Sequence, residues 1–453
     1  MSQKNPEIVD REYMLSPVPV TERRPTWKQV MVWIGFGYVV TGMFVGGVLA
    51  GYGNQPGLPP GLAITAIAVG MGLLAVLTVL LGIVAQKTGL NLALVSRFSY
   101  GMMGTNLPLA VMALLTLGWF ASITGMVGQI WGSFVGSPTG ITVFDPAVVG
   151  YDHIEPISLE NFLSCVIFGL ILTVTAYYGI TAIEAVAIPI SPVILLIALI
   201  VGIGMLQEGG GPTQFFNEAN NLGGLGLGHA ITVVTGSWIA GVVMGVDFFR
   251  FNKNVAGVIA GAVACFILTN PLLNIVGYIG AVQVGQFNYV DWMVQKGVLL
   301  AIIGVIAWTT SLWTTNNAEL YCNSLYAGPV ISSFRKTVKR ENIVLFTGIL
   351  GTIIGSMAFY EMFFADFITI LGAAFLPLAG PIIADYYIVK RRNYNVEQVN
   401  HQPKYRLAGV ITFSIGAILG LIFQDVFPLR FGLPSGIVAL LITIIIYPLI
   451  YNV

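Results

Sequence analysis

Nine consecutive residues, Thr309-Thr310-Ser311-Leu312-Trp313-Thr314-Thr315-Asn316-Asn317, put a run of hydroxyls and amides into an otherwise apolar stretch. Facing hydrocarbon without partners, such groups cost several kcal/mol, so they must face protein, water, a cargo or an ion. On a helix Ser311, Thr314 and Thr315 fall at i, i+3 and i+4 and share one face. Their oxygens, with carbonyls freed by a break in the first apolar segment near Gly35 and Tyr38, can replace the water shell of Na⁺. Interhelical hydrogen bonding, which Ser and Thr commonly provide in membranes, explains the same run equally well.

Trp119 and Trp238 lie deep inside apolar segments, away from the headgroup belts that tryptophan favours. Two indoles at mid-depth suit a planar ligand held between ring faces, and simple packing is the plain alternative. Four carboxylates, Glu184, Asp247, Glu319 and Asp385, lie in or at the edge of apolar segments and are functional candidates by default. Asp247 and Asp385 stand beside Arg250 and Lys390, which suggests ion-pair or gate duty. Glu319 follows the polar run and can touch a permeation path or carry a proton. Catalytic constellations are absent: His153, His229 and His401 are scattered, and Cys165, Cys265 and Cys322 show no CxxC spacing. No enzyme and no cofactor is expected.

The elements that position these residues follow from composition. Of 453 residues 56% are hydrophobic and 9% charged, and the mean hydropathy is +0.85. Soluble domains carry roughly 25% charged residues, so lipid must be the solvent for most of this chain. Zero formal net charge argues against a nucleic-acid partner. At about 20 apolar residues per crossing, spans are expected at 29–52, 61–85, 102–134, 159–178, 181–206, 228–248, 253–282, 297–322, 342–363, 366–389, 406–424 and 434–451. With the N-terminus cytoplasmic, 18 of the 20 basic residues lie inside. Only Lys296 and Arg430 fall outside, which sets both termini in the cytoplasm. The 135–158 loop carries Asp145, Asp152 and Glu155 but no Lys or Arg, and is read as external.

The first span contains Gly42-Met-Phe-Val-Gly-Gly47 and the sixth Gly236-Ser-Trp-Ile-Ala-Gly241. Thr116-Leu-Gly-Trp119 in the third echoes Thr310-Ser-Leu-Trp313 in the eighth. Spans 1 and 6, and 3 and 8, are equivalent in a five-plus-five inverted repeat. The expected architecture is therefore an all-α integral membrane protein of about twelve helices. A tail over 1–28 precedes repeats over 29–206 and 207–389, with two added helices over 390–453.

The chain resembles the nucleobase–cation symporter-1 family from about residue 30 to 450, and within it the bacterial cytosine permeases. The similarity rests on Lys87-Thr-Gly-Leu, Ser96-Arg-Phe-Ser-Tyr-Gly101, Gly118-Trp-Phe, Gly236-Ser-Trp with Asp247-Phe-Phe-Arg-Phe, Trp313-Thr-Thr-Asn-Asn, and Gly380-Pro-Ile-Ile-Ala-Asp-Tyr-Tyr with Lys390-Arg-Arg. The resemblance implies a LeuT-like fold with broken helices 1 and 6, alternating access, and uptake of a small planar base coupled to a cation, Na⁺ first among them. By position, Trp119 and Trp238 match the pair that sandwiches the ring. Thr314 and Thr315 match cation-liganding hydroxyls, and Gly35 and Tyr38 match the first-helix carbonyls. Ser237 and Ala240 match the substrate-facing break, and Asn316 a polar residue nearby.

Two positions depart from the cytosine permease pattern. Thr116 stands where those proteins have glutamine, and Ser311 where they have asparagine. A hydroxyl reaches less far than an amide and cannot offer a separate donor and acceptor to a base edge. Cytosine therefore leads a group that includes other nucleobases, hydantoins such as allantoin, and the thiamine pyrimidine precursor. The expected setting is a bacterial inner membrane, and nothing in the sequence specifies an oligomeric state.

Overall fold

A computed structural model describes residues 13–53, 55–152, 154–178, 180–334, 338–424 and 434–452. Lys4, Arg11, His153, Arg335, Lys336 and Arg430, and the side chain of Glu184, lie outside the described residues.

Among the described residues eight helices are long and apolar enough to cross a membrane, and a bent pair makes a ninth span. The pair is α1 (Thr26–Gly37) and α2 (Val40–Leu49), bent by 46°. Next come α3 (Pro60–Thr88), a short α4 (Leu92–Tyr100), α5 (Asn106–Val135), α6 (Leu159–Tyr177) and α7 (Ile180–Glu208). After α8 (Gly211–Ala219), the sixth span consists of α9 (Leu227–Gly236) and α10 (Ile239–Phe249), interrupted at Ser237–Trp238. The seventh runs through α11 (Val255–Val263), a π turn (Ala264–Thr269) and α12 (Asn270–Val284). A short α13 (Tyr289–Val294) leads into α14 (Val298–Phe334), followed by α15 (Arg340–Ser356) and α16 (Phe359–Ile370). The tenth span continues through a π turn to α17 (Ala379–Ala384). Two shorter apolar helices, α18 (Leu407–Phe423) and α19 (Ser435–Leu449), complete the set.

Leu114, Ile200, Phe346 and Ile445 project from the outer surface although large and apolar, as lipid solvation requires. Between spans small residues let backbones touch. A Cβ at Gly46 of α2 would lie 2.0 Å from the Asn274 carbonyl oxygen of α12, and one at Gly236 of α9 would lie 1.9 Å from that of Ile368 in α16. The glycines of spans 1 and 6 thus serve close helix contact. Spans 3 and 8, α5 and α14, pack along one another at the centre.

The structure revises two span boundaries and adds a detail to one loop. The ninth span stops at Ser356 rather than 363, because Ala358 takes a left-handed φ of 59° and reverses the chain. Hydropathy ran on through the aromatic start of α16. The eighth span reaches Phe334 rather than 322, since Asn323, Ser324 and Tyr326 find protein partners and remain helical. The 135–158 loop contains a small antiparallel pair, Thr142–Phe144 with Ile157–Ser158.

Candidate functional site

Breaks in two helices create the site. The last α-helical rung of α1 is the Tyr38 N–H bonded to the Ile34 carbonyl at 3.0 Å. The chain then extends through Val39 before α2 begins. Beyond the break, the freed Gly37 carbonyl accepts from Asn270 Nδ2 at 3.1 Å. In the sixth span Trp238 leaves helical geometry (φ −134°, ψ 4°) between α9 and α10. Its indole lies over Gly241, where an added Cβ would come within 2.3 Å of Trp238 Cε3. Glycine at 241 is what lets this ring fold against its own helix.

Between the breaks Val39, Trp119, Ser237, Trp238, Gly241, Thr315 and Glu319 line a small cavity. Each indole is braced by other rings. Trp119 meets Phe364 and Phe367 of α16 edge-on at 5.3 and 5.6 Å, and Trp238 meets Phe266 of the π turn at 5.5 Å. Three polar atoms of the lining are buried with no hydrogen-bond partner: Trp238 Nε1, Thr315 Oγ1 and Glu319 Oε2. Buried polar groups are nearly always paired. Three such exceptions gather around this one void, where a bound ligand can supply partners.

The polar run of α14 divides between the two readings given above. Thr309 accepts from Trp131 Nε1 of α5 at 2.7 Å, and Asn316 Nδ2 donates to Thr124 Oγ1 of α5 at 3.0 Å. Trp313 Nε1 donates to Thr175 Oγ1 of α6 at 2.9 Å. These are interhelical ties. Ser311 and Thr314 donate to carbonyls one turn back, at Trp308 and Ser311, and keep their oxygen lone pairs available. Thr315 alone among them is buried, unpartnered and on the cavity wall.

The remaining sequence candidates fall around this centre. Gly35 is buried on α1, which packs against α14, and Ala240 is buried in the first turn of α10. The Tyr38 hydroxyl donates to Tyr289 of α13 at 2.7 Å. Ser237 lines the cavity while its hydroxyl donates to the Val234 carbonyl. Thr116 is not part of the lining: it donates to the Met112 carbonyl at 2.8 Å and accepts from Asn323 Nδ2 at 3.1 Å. The lining also includes Val39, Gly241 and Glu319, which the sequence did not assign to the cargo site. For Glu319 a signal existed, since it lies four residues after Thr315 and hence on the same helix face.

Two other carboxylates are buried and satisfied. Asp247 accepts from the Leu92 N–H at the start of α4 at 3.0 Å and from Tyr326 at 2.5 Å. Asp385 accepts from Tyr394 at 2.6 Å and Tyr447 at 2.8 Å. Beside them Arg250 reaches the Tyr13 and Asp247 carbonyls, and Lys390 sits over the Tyr451 ring at 5.2 Å. Hydroxyl and amide donors are thus hydrogen-bond partners of both carboxylates, with the Arg250 charge acting on Asp247 and the Arg406 and Lys390 charges on Asp385. A second small cavity lies between α5, α6 and the α15–α16 turn, where Gln129 donates to Glu361.

Comparison with known proteins agrees with this geometry. A family model described as permease for cytosine/purines, uracil, thiamine and allantoin matches residues 17–432. The cytosine permease of Escherichia coli K12 is 28% identical over 411 residues, covering 91% of this chain and 89% of that protein. A hydantoin permease from Microbacterium maritypicum is 27% identical over 373 residues, covering 78% and 71%. Among solved structures, Mhp1, a nucleobase-cation-symport-1 transporter closed around bromovinylhydantoin, superposes with a TM-score of 0.80 at 20% identity, covering 96% and 94%. A Na⁺-coupled sialic acid symporter gives 0.58 at 12% identity, covering 95% and 90%. The fold is the LeuT-like one, and the chain belongs to the permease family for cytosine, purines, uracil, thiamine and allantoin.

Proposed function

We propose that this permease imports a small planar nitrogen heterocycle together with Na⁺ by alternating access, with cytosine the leading cargo. The observation that carries the reading is the cavity between the helix breaks, walled by Trp119 and Trp238, with three unpartnered buried polar atoms among its lining residues. The ring lies between the two indoles, where stacking is worth roughly 1–3 kcal/mol. Ser237 and Ala240 present backbone to its edge, with Asn316 and Thr116 behind. Na⁺ is held by the Gly35 and Tyr38 carbonyls and the Ser311, Thr314 and Thr315 hydroxyls, pinning α14 to the broken first span. Ion and cargo favour the same occluded state, so each tightens the other by an equal factor. Residues 29–206 and 207–389 act as two inverted halves around this centre, with 390–453 added. The face rich in Lys and Arg, with both termini, is cytoplasmic in a bacterial inner membrane.

In proteoliposomes labelled cytosine is expected to accumulate under an inward Na⁺ gradient and to stop when K⁺ replaces Na⁺. Thr314→Ala combined with Thr315→Ala should raise the Na⁺ concentration for half-maximal uptake about tenfold or more, two hydroxyl ligands at about 1 kcal/mol each. An unaltered Na⁺ response would reject the ion site. A second reading has one observation in its favour, the Glu319 carboxylate in the cavity wall. It predicts uptake that persists without Na⁺, collapses with a protonophore, and carries another ring such as a purine, allantoin or the thiamine pyrimidine precursor.

A further inference from the structure

Pro271 has no N–H to give the helical ladder of the seventh span, and the residues before it, Ala264–Thr269, are wound as a π turn. Where that turn ends, Asn270 is fully buried against the break between α1 and α2. Its Nδ2 donates to the Gly37 carbonyl at 3.1 Å. Its main-chain carbonyl and its Oδ1 accept from Asn274 Nδ2 at 2.7 and 2.9 Å. A main-chain carbonyl can only accept, which fixes the nitrogen end of Asn274 toward Asn270. That nitrogen in turn fixes the Asn270 oxygen, and the Asn270 nitrogen is left facing Gly37. Small residues let the two spans come this close. A Cβ at Gly37 would lie 3.1 Å from Cys265 Cα and Thr269 Cβ, and one at Gly42 would lie 3.3 Å from Asn270 Nδ2.

We infer that Asn270 is a positioning residue that holds the backbone of the first-span break in the conformation that receives the ion. The peptide joining Gly37 to Tyr38 is planar, and it is held at both ends. Its N–H donates to the Ile34 carbonyl at 3.0 Å, and its carbonyl accepts from Asn270. Tyr38 continues from this plane at φ −83° and ψ 76°, outside helical geometry, and its hydroxyl is tied to Tyr289. With the preceding peptide and the side chain both anchored, the direction of the Tyr38 carbonyl is set before an ion arrives. The Gly37 carbonyl is already engaged, so the ion takes the carbonyls of Gly35 and Tyr38 around it. Without the Asn270 donor the peptide turns among several orientations, and apparent ion affinity falls in proportion to the time spent away from the competent one. This inference rests on the proposed Na⁺ site and adds to it a residue that does not touch the ion.

Asn270→Leu keeps the size and branching of the side chain and removes its donor. The melting temperature of the purified full-length protein is followed against Na⁺ concentration without cargo, choline holding the ionic strength constant, and the onset of the rise reports the Kd for Na⁺. Tyr447→Phe is measured beside it, because it breaks another buried hydrogen bond, to Asp385 at 2.8 Å, away from the break. Asn270→Leu is expected to raise the Kd about fivefold or more, the worth of one hydrogen bond. Tyr447→Phe should lower the melting temperature and leave the Kd unchanged. A Kd unchanged or lowered in Asn270→Leu, or raised equally in Tyr447→Phe, overturns the inference while leaving the Na⁺ site standing. A native chain that Na⁺ does not stabilise rejects the site itself, and the inference with it. Should Asn270→Leu fail gel filtration, Asn274→Leu decides, since it removes the donor that orients the Asn270 amide together with an oxygen, Oδ1, that has no partner. A raised Kd in that variant supports the inference, and an unchanged one overturns it.

Discussion

Glu319 and Asp247 are both buried in the helical core, yet their surroundings are opposite. Asp247 receives a main-chain N–H from the start of α4 and a tyrosine hydroxyl from α14, so its negative charge stitches three helices together. Glu319, two turns nearer the middle of α14 than Tyr326, shares a void with two indoles and leaves an oxygen unpaired. The contrast separates two uses of buried charge. Donors supplied by the fold make a lock, and donors left out make a vacancy for cargo. Asp385, held by Tyr394 and Tyr447, belongs with Asp247.

The largest effect that can break this distinction is on stability. Asp247→Ala strands the Leu92 N–H and the Tyr326 hydroxyl in a dry interior, at about 1–3 kcal/mol for each group. Glu319→Ala strands nothing on the side of Oε2 and removes an enclosed, incompletely partnered carboxyl, which is neutral or stabilising. Detergent melts should therefore show a steep drop for Asp247→Ala and little or no drop for Glu319→Ala. Equal losses in the two variants would erase the difference between lock and vacancy. Next in size is Trp119→Ala, which removes one wall of the vacancy. Ring affinity should fall by about 10- to 100-fold, equivalent to roughly 1–3 kcal/mol of stacking, while the melting temperature in the absence of ligand moves far less. Unchanged uptake would take Trp119 out of the site.

The sequence exposed the lock and the vacancy unequally. Long apolar runs and one-sided Lys and Arg mark the spans because the solvent itself writes that pattern. The first break was legible near Gly35 and Tyr38 and the second in the Gly236–Gly241 segment, whereas Gly42–Gly47 lies inside α2; Trp119, Trp238, Ser237 and Thr315, each named from the sequence, lie on the cavity wall. Partnerships across the fold left no such trace. Thr116 is held by Asn323 and Asn316 by Thr124, residues about two hundred positions away, so nothing local shows that these side chains are tied to neighbouring helices. Ser356 ends the ninth span through the backbone turn at Ala358, and hydropathy is blind to a φ angle. Gly241 lines the cavity only because the Trp238 ring folds onto it.

A third carboxylate sharpens the comparison from outside the spans, with the smallest effect. Asp291 of α13 lies beside the α12–α14 connection, where burial pushes its carboxyl up from 3.8 to about 6 and the Asn288 side chain draws it back only in part. Tyr52, nearby and edge-on to Phe287 at 5.0 Å, is raised by burial and then by this charge. Asp291 is thus intermediate, enclosed like Glu319 but near enough to solvent to titrate. Between about pH 4 and 6 the folded chain holds a proton that the unfolded chain has released, so stability falls as pH rises through that window and levels off above it. Asp291→Asn should flatten this slope and raise the melting temperature slightly at pH 7, with Asp247→Asn as the contrasting case that lowers it. A slope that survives Asp291→Asn would mean that the pH dependence arises elsewhere and that Asp291 is as well supplied with donors as Asp247.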